Sequence, residues 1–220
     1  MSRRWEGQRR RTGDDPAVAV SAGWTSPTSR FRDQEGRMMG FWDFFEKKQS
    51  GAPDPLKDLV LSKLRVGYLV DFDLQTWQVT AHSRYDFGEG CRSEEWQLTS
   101  GRTVRYLERE DDDDVEWSWS QKIPIGAIDG DVGRHIIDHD DPPSRLVFKG
   151  KTYYLEESGP ARMYEGGGGT PKEFVYWDFI DEGDGQFLTI EQWGETDFEA
   201  AFGQTVEEYQ FTNILPGGES

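Results

Sequence analysis

The 220 residues suffice for one large domain or for two of roughly 100 residues, each able to bury a core. Acidic residues number 42 against 25 Lys and Arg, a net charge of -17, so the surface repels phosphate backbones; that excludes general nucleic-acid binding and favours cations, polyamines or basic proteins as partners. The single cysteine, Cys91, excludes an internal disulfide and a cysteine zinc cluster and fits a reducing, cytoplasmic setting, while no run approaches the roughly 18 apolar residues a spanning helix needs.

Residues 1–38 are rich in Arg, Gly, Ser, Thr and Pro without a sustained apolar period, and read as a disordered leader. Met39 opens sequence of a different character, so translation is expected to start there. Residues 39–63 form an arm and linker. Within them Gly40 to Lys48 (GFWDFFEKK) groups Phe41, Trp42, Phe44 and Phe45 on one face of a short helical turn, suited to docking on the body of the protein or to lying in a membrane interface. Pro53 and Pro55 interrupt any helix that follows.

From Leu64 the apolar period becomes two, through Val66, Tyr68, Val70, Phe72 and Leu74, which predicts a strand with one buried face. Trp77 to His82 is the expected return strand and Asp86 to Gly90 a turn. Trp96 and Leu98 share a face, Ser100 and Gly101 form a turn, and Val104 to Glu108 continues the sheet. The four carboxylates Asp111 to Asp114 belong at an exposed hairpin tip, since burial would make them repel. Trp117 and Trp119 mark the next strand, closing a first β unit over residues 64–128.

Residues 129–143 read as a connector. His135, Asp138, His139, Asp140 and Asp141 are its potential metal ligands, but two histidines one helical turn apart, followed by Pro142 and Pro143, are a weak signal, and the sequence assigns no metal and no cofactor. Asp129, Asp131 and Gly133 begin like a calcium loop that Arg134 and His135 then break. The second unit, residues 144–217, offers strands at Leu146 to Phe148, Tyr153 to Leu155, Phe174 to Ile180 and Gln186 to Trp193, a short helix over residues 195–203, and a last strand from Val206 to Ile214.

The two units align on each other. Trp96, Leu98, Tyr106, Leu107 and Glu110 lie 81 residues before Trp177, Phe179, Phe187, Leu188 and Glu191, and Trp117, Trp119, Ile123 and Pro124 lie 92 before Tyr209, Phe211, Leu215 and Pro216. The expected fold is mainly β: two similar antiparallel meander or half-barrel repeats packed together, with a short helical N-terminal arm. Trp96, Trp117, Trp119, Trp177 and Tyr209 then become candidate ligand-binding residues, lining an aromatic and acidic cleft between the repeats. Such a cleft suits a cationic ligand; the plainer reading of these rings is a shared core. No nucleotide loop and no nucleophile elbow surrounds Gly166 to Gly169 or any serine, and no catalytic residue is assigned.

The motifs RVGYLVDFD, EEWQL, GRTVRYLERE and WSWS, followed by KGKTYYLEE, FVYWDF and GQFLTIEQWGE, resemble the bacterial family termed domain of unknown function 4178, over Leu64 to Pro216. That resemblance implies no catalytic residues. It implies genomic company with membrane-stress proteins, small membrane proteins and polyamine aminopropyltransferases. The expected role is a non-enzymatic β-rich accessory or protein-interaction module, cytoplasmic or peripheral at the inner membrane; the alternative is a binding protein or enzyme for a small cation such as a polyamine.

Overall fold

A computed structural model describes residues 59–111, 114–183 and 185–217, all within the unit Ser50–Ser220. Phe41, Trp42, Phe44 and Phe45, the expected disordered leader and the N-terminal arm lie outside the described residues. Eleven strands are built in chain order: β1 (Leu69–Phe72), β2 (Gln75–Gly88), β3 (Cys91–Ser100), β4 (Thr103–Asp111) and β5 (Val115–Ile123), then helix α1 (Val132–His139), then β6 (Arg145–Phe148), β7 (Lys151–Glu165), β8 (Lys172–Ile180), β9 (Gln186–Gln192), β10 (Phe198–Val206) and β11 (Thr212–Leu215).

All pairings are antiparallel, and two of them close the sheet on itself. Seven residues of β10, Ala200 to Val206, pair with β5, from Ile123 back to Trp117. The far half of β2 pairs with β7, Ser83 opposite Glu165 and Asp86 opposite Arg162. The circuit β2-β3-β4-β5-β10-β9-β8-β7 is therefore an eight-stranded barrel, and β1, β11 and β6 extend from it. Closure removes the unpaired edges that two separate meanders would expose.

Alternation along the strands gives the barrel two outward apolar faces. On one side Trp96, Leu98, Leu107, Trp117 and Trp119 are covered by Leu61, Leu64, Val70, Phe72 and Phe211. On the other, Trp177, Phe179, Leu188 and Ile190 are covered by Ile128, Val132 and Ile136 of the α1 region and by Leu146 and Phe148 of β6. Trp96 donates its indole N–H to the Leu64 carbonyl at 3.0 Å, and Trp177 donates to the Asp141 carboxylate at 3.0 Å. Each large ring thereby pins a covering segment while satisfying its own polar atom.

Several sequence expectations are corrected here. The strand foreseen from Leu64 to Leu74 is only β1, because Gly67 (φ 92) and the bond from Tyr68 N–H to the Arg65 carbonyl make a turn before it. Leu74 is not a core residue: with φ 60 it forms the β1–β2 turn and is fully exposed. β2 runs well past His82, bending at bulges around Val79 to Ala81 and Asp86 to Gly88 so that it serves two partners. The connector holds α1, whose flanking Asp131 and Asp140 are both left-handed.

Residues 195–203 are not helical. A turn at 194–197 leads into β10, where Ala200 is buried and Phe198 and Phe202 pack on the second core. Their period-two spacing, satisfied between β5 and β9, outweighs local helix propensity. The last strand is accordingly only β11, preceded by a 3-10 turn, Glu208–Gln210. Tyr209 lies on that turn, 80% exposed, so it does not hold a strand position like that of Trp117.

Candidate functional site

The inward face of the barrel carries the polar half of each strand. β3 contributes Ser93 and Glu95, β4 contributes Tyr106 and Glu108, and across the lumen β8 and β9 contribute Asp178 and Glu191. Glu95 faces Glu108 directly across the β3–β4 ladder, Glu191 faces Glu199 across β9–β10, and Asp178 faces Glu157 across β8–β7. Like charges directly opposed on adjacent strands repel. A cavity of about 30 Å³ among Tyr85, Glu95, Tyr106, Lys122 and Glu191 leaves room for little more than one water.

Neutral donors answer the carboxylates. Tyr85 donates to Glu95 at 3.1 Å, Ser93 to Glu108 at 2.5 Å, Thr189 to Asp178 at 2.5 Å and the Trp193 indole to Glu191 at 3.1 Å. Lys122 pairs with Glu199 at a more exposed end of the lumen. Burial, followed by the charges of Glu108 and Glu191, pushes the Glu95 carboxyl up to about 8 against the Tyr85 bond and Lys122. Burial also lifts Asp178 and Glu191 to about 7 and Glu108 to about 6, the bonds from Thr189, Trp193 and Ser93 opposing each rise. The Tyr85 and Tyr176 hydroxyls are raised by burial, then by Glu95 and by the bond to Glu157 respectively. For Lys122 burial acts downward, but the bond to Glu199 together with the charges of Glu199, Tyr106 and Glu191 outweighs it, and the ammonium is held above its usual range.

One wall of the barrel opens to a concavity of about 530 Å³ at the β2–β7 seam, where β8 and the end of β9 flank it. Phe174 stacks on Trp193 with centroids 4.4 Å apart, Phe87 meets Tyr176 edge-on at 5.0 Å, and Tyr85 meets Phe174 edge-on at 5.9 Å. Asp86 and Glu173 stand at the rim, and Arg162 bonds Glu173 at 3.3 Å. The concavity has the size of a small-ligand site, with apolar ring surface and few convergent polar groups. Trp193 connects the two features, lining the concavity while its indole N–H reaches the lumen carboxylate Glu191.

The residues singled out from sequence lie elsewhere. Trp96 and Trp117 stack at 5.9 Å, and Trp119 meets Trp77 edge-on at 5.1 Å, all buried in the first core. Trp177 is buried in the second core, and Tyr209 is exposed. Trp119 also borders a groove of about 510 Å³ at the β5–β10 seam with Arg105, Phe202 and Gln204. The rings of His135 and His139 stack at 4.3 Å; among the described residues no group of three or more His, Cys, Asp and Glu is arranged to hold a metal. Nor does any described helix have the length and apolarity to cross a membrane. Cys91 lies 3.4 Å from a Glu110 carboxylate oxygen, to which its thiol donates.

The sequence profile of the family described as domain of unknown function (DUF4178) matches residues 65–208, which includes every barrel strand. The chain belongs to the DUF4178 family. A relative, an uncharacterised protein of Aquifex aeolicus, is 28% identical over 182 residues, 81% of this chain and 99% of the relative. No solved structure matches the chain. The barrel residues described above thus lie within the DUF4178 segment, whereas β11 follows it.

Proposed function

We propose that this DUF4178 barrel is a non-catalytic binding protein for a small cationic, alkylammonium-bearing ligand, taken up in the concavity at the β2–β7 seam. The observation that carries the reading is the aromatic wall of the concavity, in which half-buried Trp193 and Phe87 flank the buried Phe174 beside Asp86 and Glu173. An ammonium group gains from the negative faces of such rings and from a carboxylate rim, and the alkyl chain between ammonium groups covers apolar surface. The strongly acidic chain draws cations toward it over a distance set by salt. On this reading the two meanders are copies of one unit, and the ligand sits where they meet.

Calorimetric titration at physiological salt tests this, with spermidine and a lysine-bearing peptide in separate arms. Saturable binding of spermidine, weakened about ten-fold by Trp193→Leu, is the expected result. Binding of the peptide alone assigns the ammonium group to a partner protein. Absence of both, or equal affinity in wild type and Trp193→Leu, refutes the assignment.

A second reading, a protein-interaction module, draws on a different surface. Leu74, Val66, Tyr209 and Leu215 are exposed on and around β1 and β11, and β11 is an end strand of the sheet order. An accessory role at a membrane belongs to that reading and rests on the Phe41 to Phe45 segment.

A further inference from the structure

We propose that the barrel lumen is a proton-dependent lock: the closed barrel holds protons between its opposed carboxyl groups at neutral pH and loosens as alkali removes them. The register is the first support. Three carboxyl pairs, Glu95 with Glu108, Glu191 with Glu199 and Asp178 with Glu157, are direct cross-strand partners in the closed circuit, and Glu95 with Glu108 is the confined one, since Glu157 is exposed and Glu199 pairs with Lys122. Two carboxylates confined in this way favour a shared proton, as paired carboxyl groups do elsewhere.

The other groups facing the lumen do not supply the missing positive charge. From β2 comes the neutral Tyr85, from β3 Cys91 and Ser93, from β4 Tyr106 and a further carboxylate, Glu110, and from β8 the neutral Tyr176. Lys122 of β5 is the ammonium of this set, and it pairs with Glu199. Tyr85 and Ser93 give Glu95 and Glu108 one neutral hydrogen bond each, and Thr189 and Tyr176 do the same for Asp178 and Glu157, but none of these donors carries the positive charge that two opposed carboxylates require. The cavity of about 30 Å³ that borders Glu95 and Glu191 is too small to hydrate both carboxylates. The upward shifts at Glu95, Glu108, Asp178 and Glu191 agree with the geometry.

The sign follows from linkage. A carboxyl group raised in the folded state binds more protons folded than unfolded, so stability falls as pH rises through the folded value. Each excess proton increases the unfolding constant about ten-fold per pH unit within that window. The loss begins above the ordinary carboxylate range and is complete for Glu95 only beyond about 8.

The test is urea denaturation of the whole chain from about pH 6 to about pH 9, comparing wild type with Glu95→Gln/Glu108→Gln and with Glu182→Gln, an exposed control between β8 and β9. Infrared spectra of the native protein at pH 7 accompany it. Wild type and Glu182→Gln are expected to lose stability with rising pH, the double variant to lose much less, and wild type to show a protonated-carboxyl stretch. Equal slopes in all three proteins, a flat wild-type profile, or absence of the protonated-carboxyl band overturns the proposal. The infrared result decides if the double variant fails to fold. None of these readouts uses a ligand, so their failure leaves the amine-binding reading untouched.

Discussion

Gly203→Ala tests barrel closure at a single atom. Gly203 sits in the middle of β10, opposite Ser120 of β5 and Phe187 of β9. A Cβ built there lies 2.8 Å from Ser120 Cβ and 2.8 Å from Phe187 Cε1, and nearer still to the ring's Cζ. The Phe187 ring is half-buried and able to swing aside, but Ser120 Cβ is fixed to its strand, so β5 and β10 themselves must give. Gly203 is not among the residues with positive φ. Alanine therefore fits its backbone, and the smaller unfolded-state entropy returns about 0.5 kcal/mol. Against that, overpacking costs about 1–3 kcal/mol, so a net loss of about 1.5 kcal/mol is expected, or a fall of about 3–6 °C in melting temperature for a domain of this size. Urea denaturation should show a lower midpoint at unchanged slope. Adding Phe187→Ala should relieve the part due to the ring and leave the part due to Ser120. A Gly203→Ala protein as stable as wild type would refute the β5–β10 closure.

Other outcomes follow from single bonds. Trp96→Phe leaves the Leu64 carbonyl without its indole donor and should cost about 1–3 kcal/mol in urea denaturation. Asp141→Ala removes the acceptor of the Trp177 indole; a loss of similar size is expected, with faster hydrogen exchange in α1 as the second readout. Ser93→Ala takes away the bond that opposes the rise at Glu108. The Glu108 carboxyl should then titrate above about 6 in a carbon-13 NMR titration, and the alkaline loss of stability should steepen, because the gap from the unfolded value widens. The opposite sign holds at Asp71, lowered by the Thr76 bond and then by that of Asn213. Its contribution is present above the ordinary aspartate range and is lost as pH falls through the folded value, and Asn213→Ala should raise the Asp71 midpoint in the same NMR titration.

The outward half of the fold was legible because hydrophobic alternation reports burial directly. Trp96 and Leu98, Trp177 and Phe179, and Leu188 and Ile190 stand at period two in the sequence and on the core face in space. The turn at Ser100–Gly101 was legible as well, since Gly101 takes positive φ there. Closure was not legible. Nothing in the order of residues says that β5 meets β10 or β2 meets β7, and the long β2 turns toward its second partner through bulges that leave no composition signal.

That gap hid the candidate site. Glu95, Glu108 and Glu191 alternate with core residues, as solvent-facing side chains do in an open sheet, and only closure turns that face inward. Their acidity is a weak clue by itself, with so many other acids in the chain. Trp193 and Phe174 were read as members of strands, but their meeting requires β8 and β9 to lie beside the β2–β7 seam. Residues 195–203 offer Thr196 or Asp197 as a helix cap and Gly203 as its end, whereas the two neighbouring strands supply the hydrogen bonds that decide the matter.

The indole resonance of Trp193 in a proton–nitrogen correlation spectrum, followed through a spermidine titration at physiological salt, tests the central claim most directly. The protein has 9 tryptophans, and Trp96 and Trp177 serve as internal references because their indoles bond within the two outer cores. Amine binding in the concavity predicts a saturable shift at Trp193, whose N–H bonds Glu191, with Trp96 and Trp177 unmoved. A Trp193 resonance that stays still, or one that shifts only in step with both reference indoles, contradicts it.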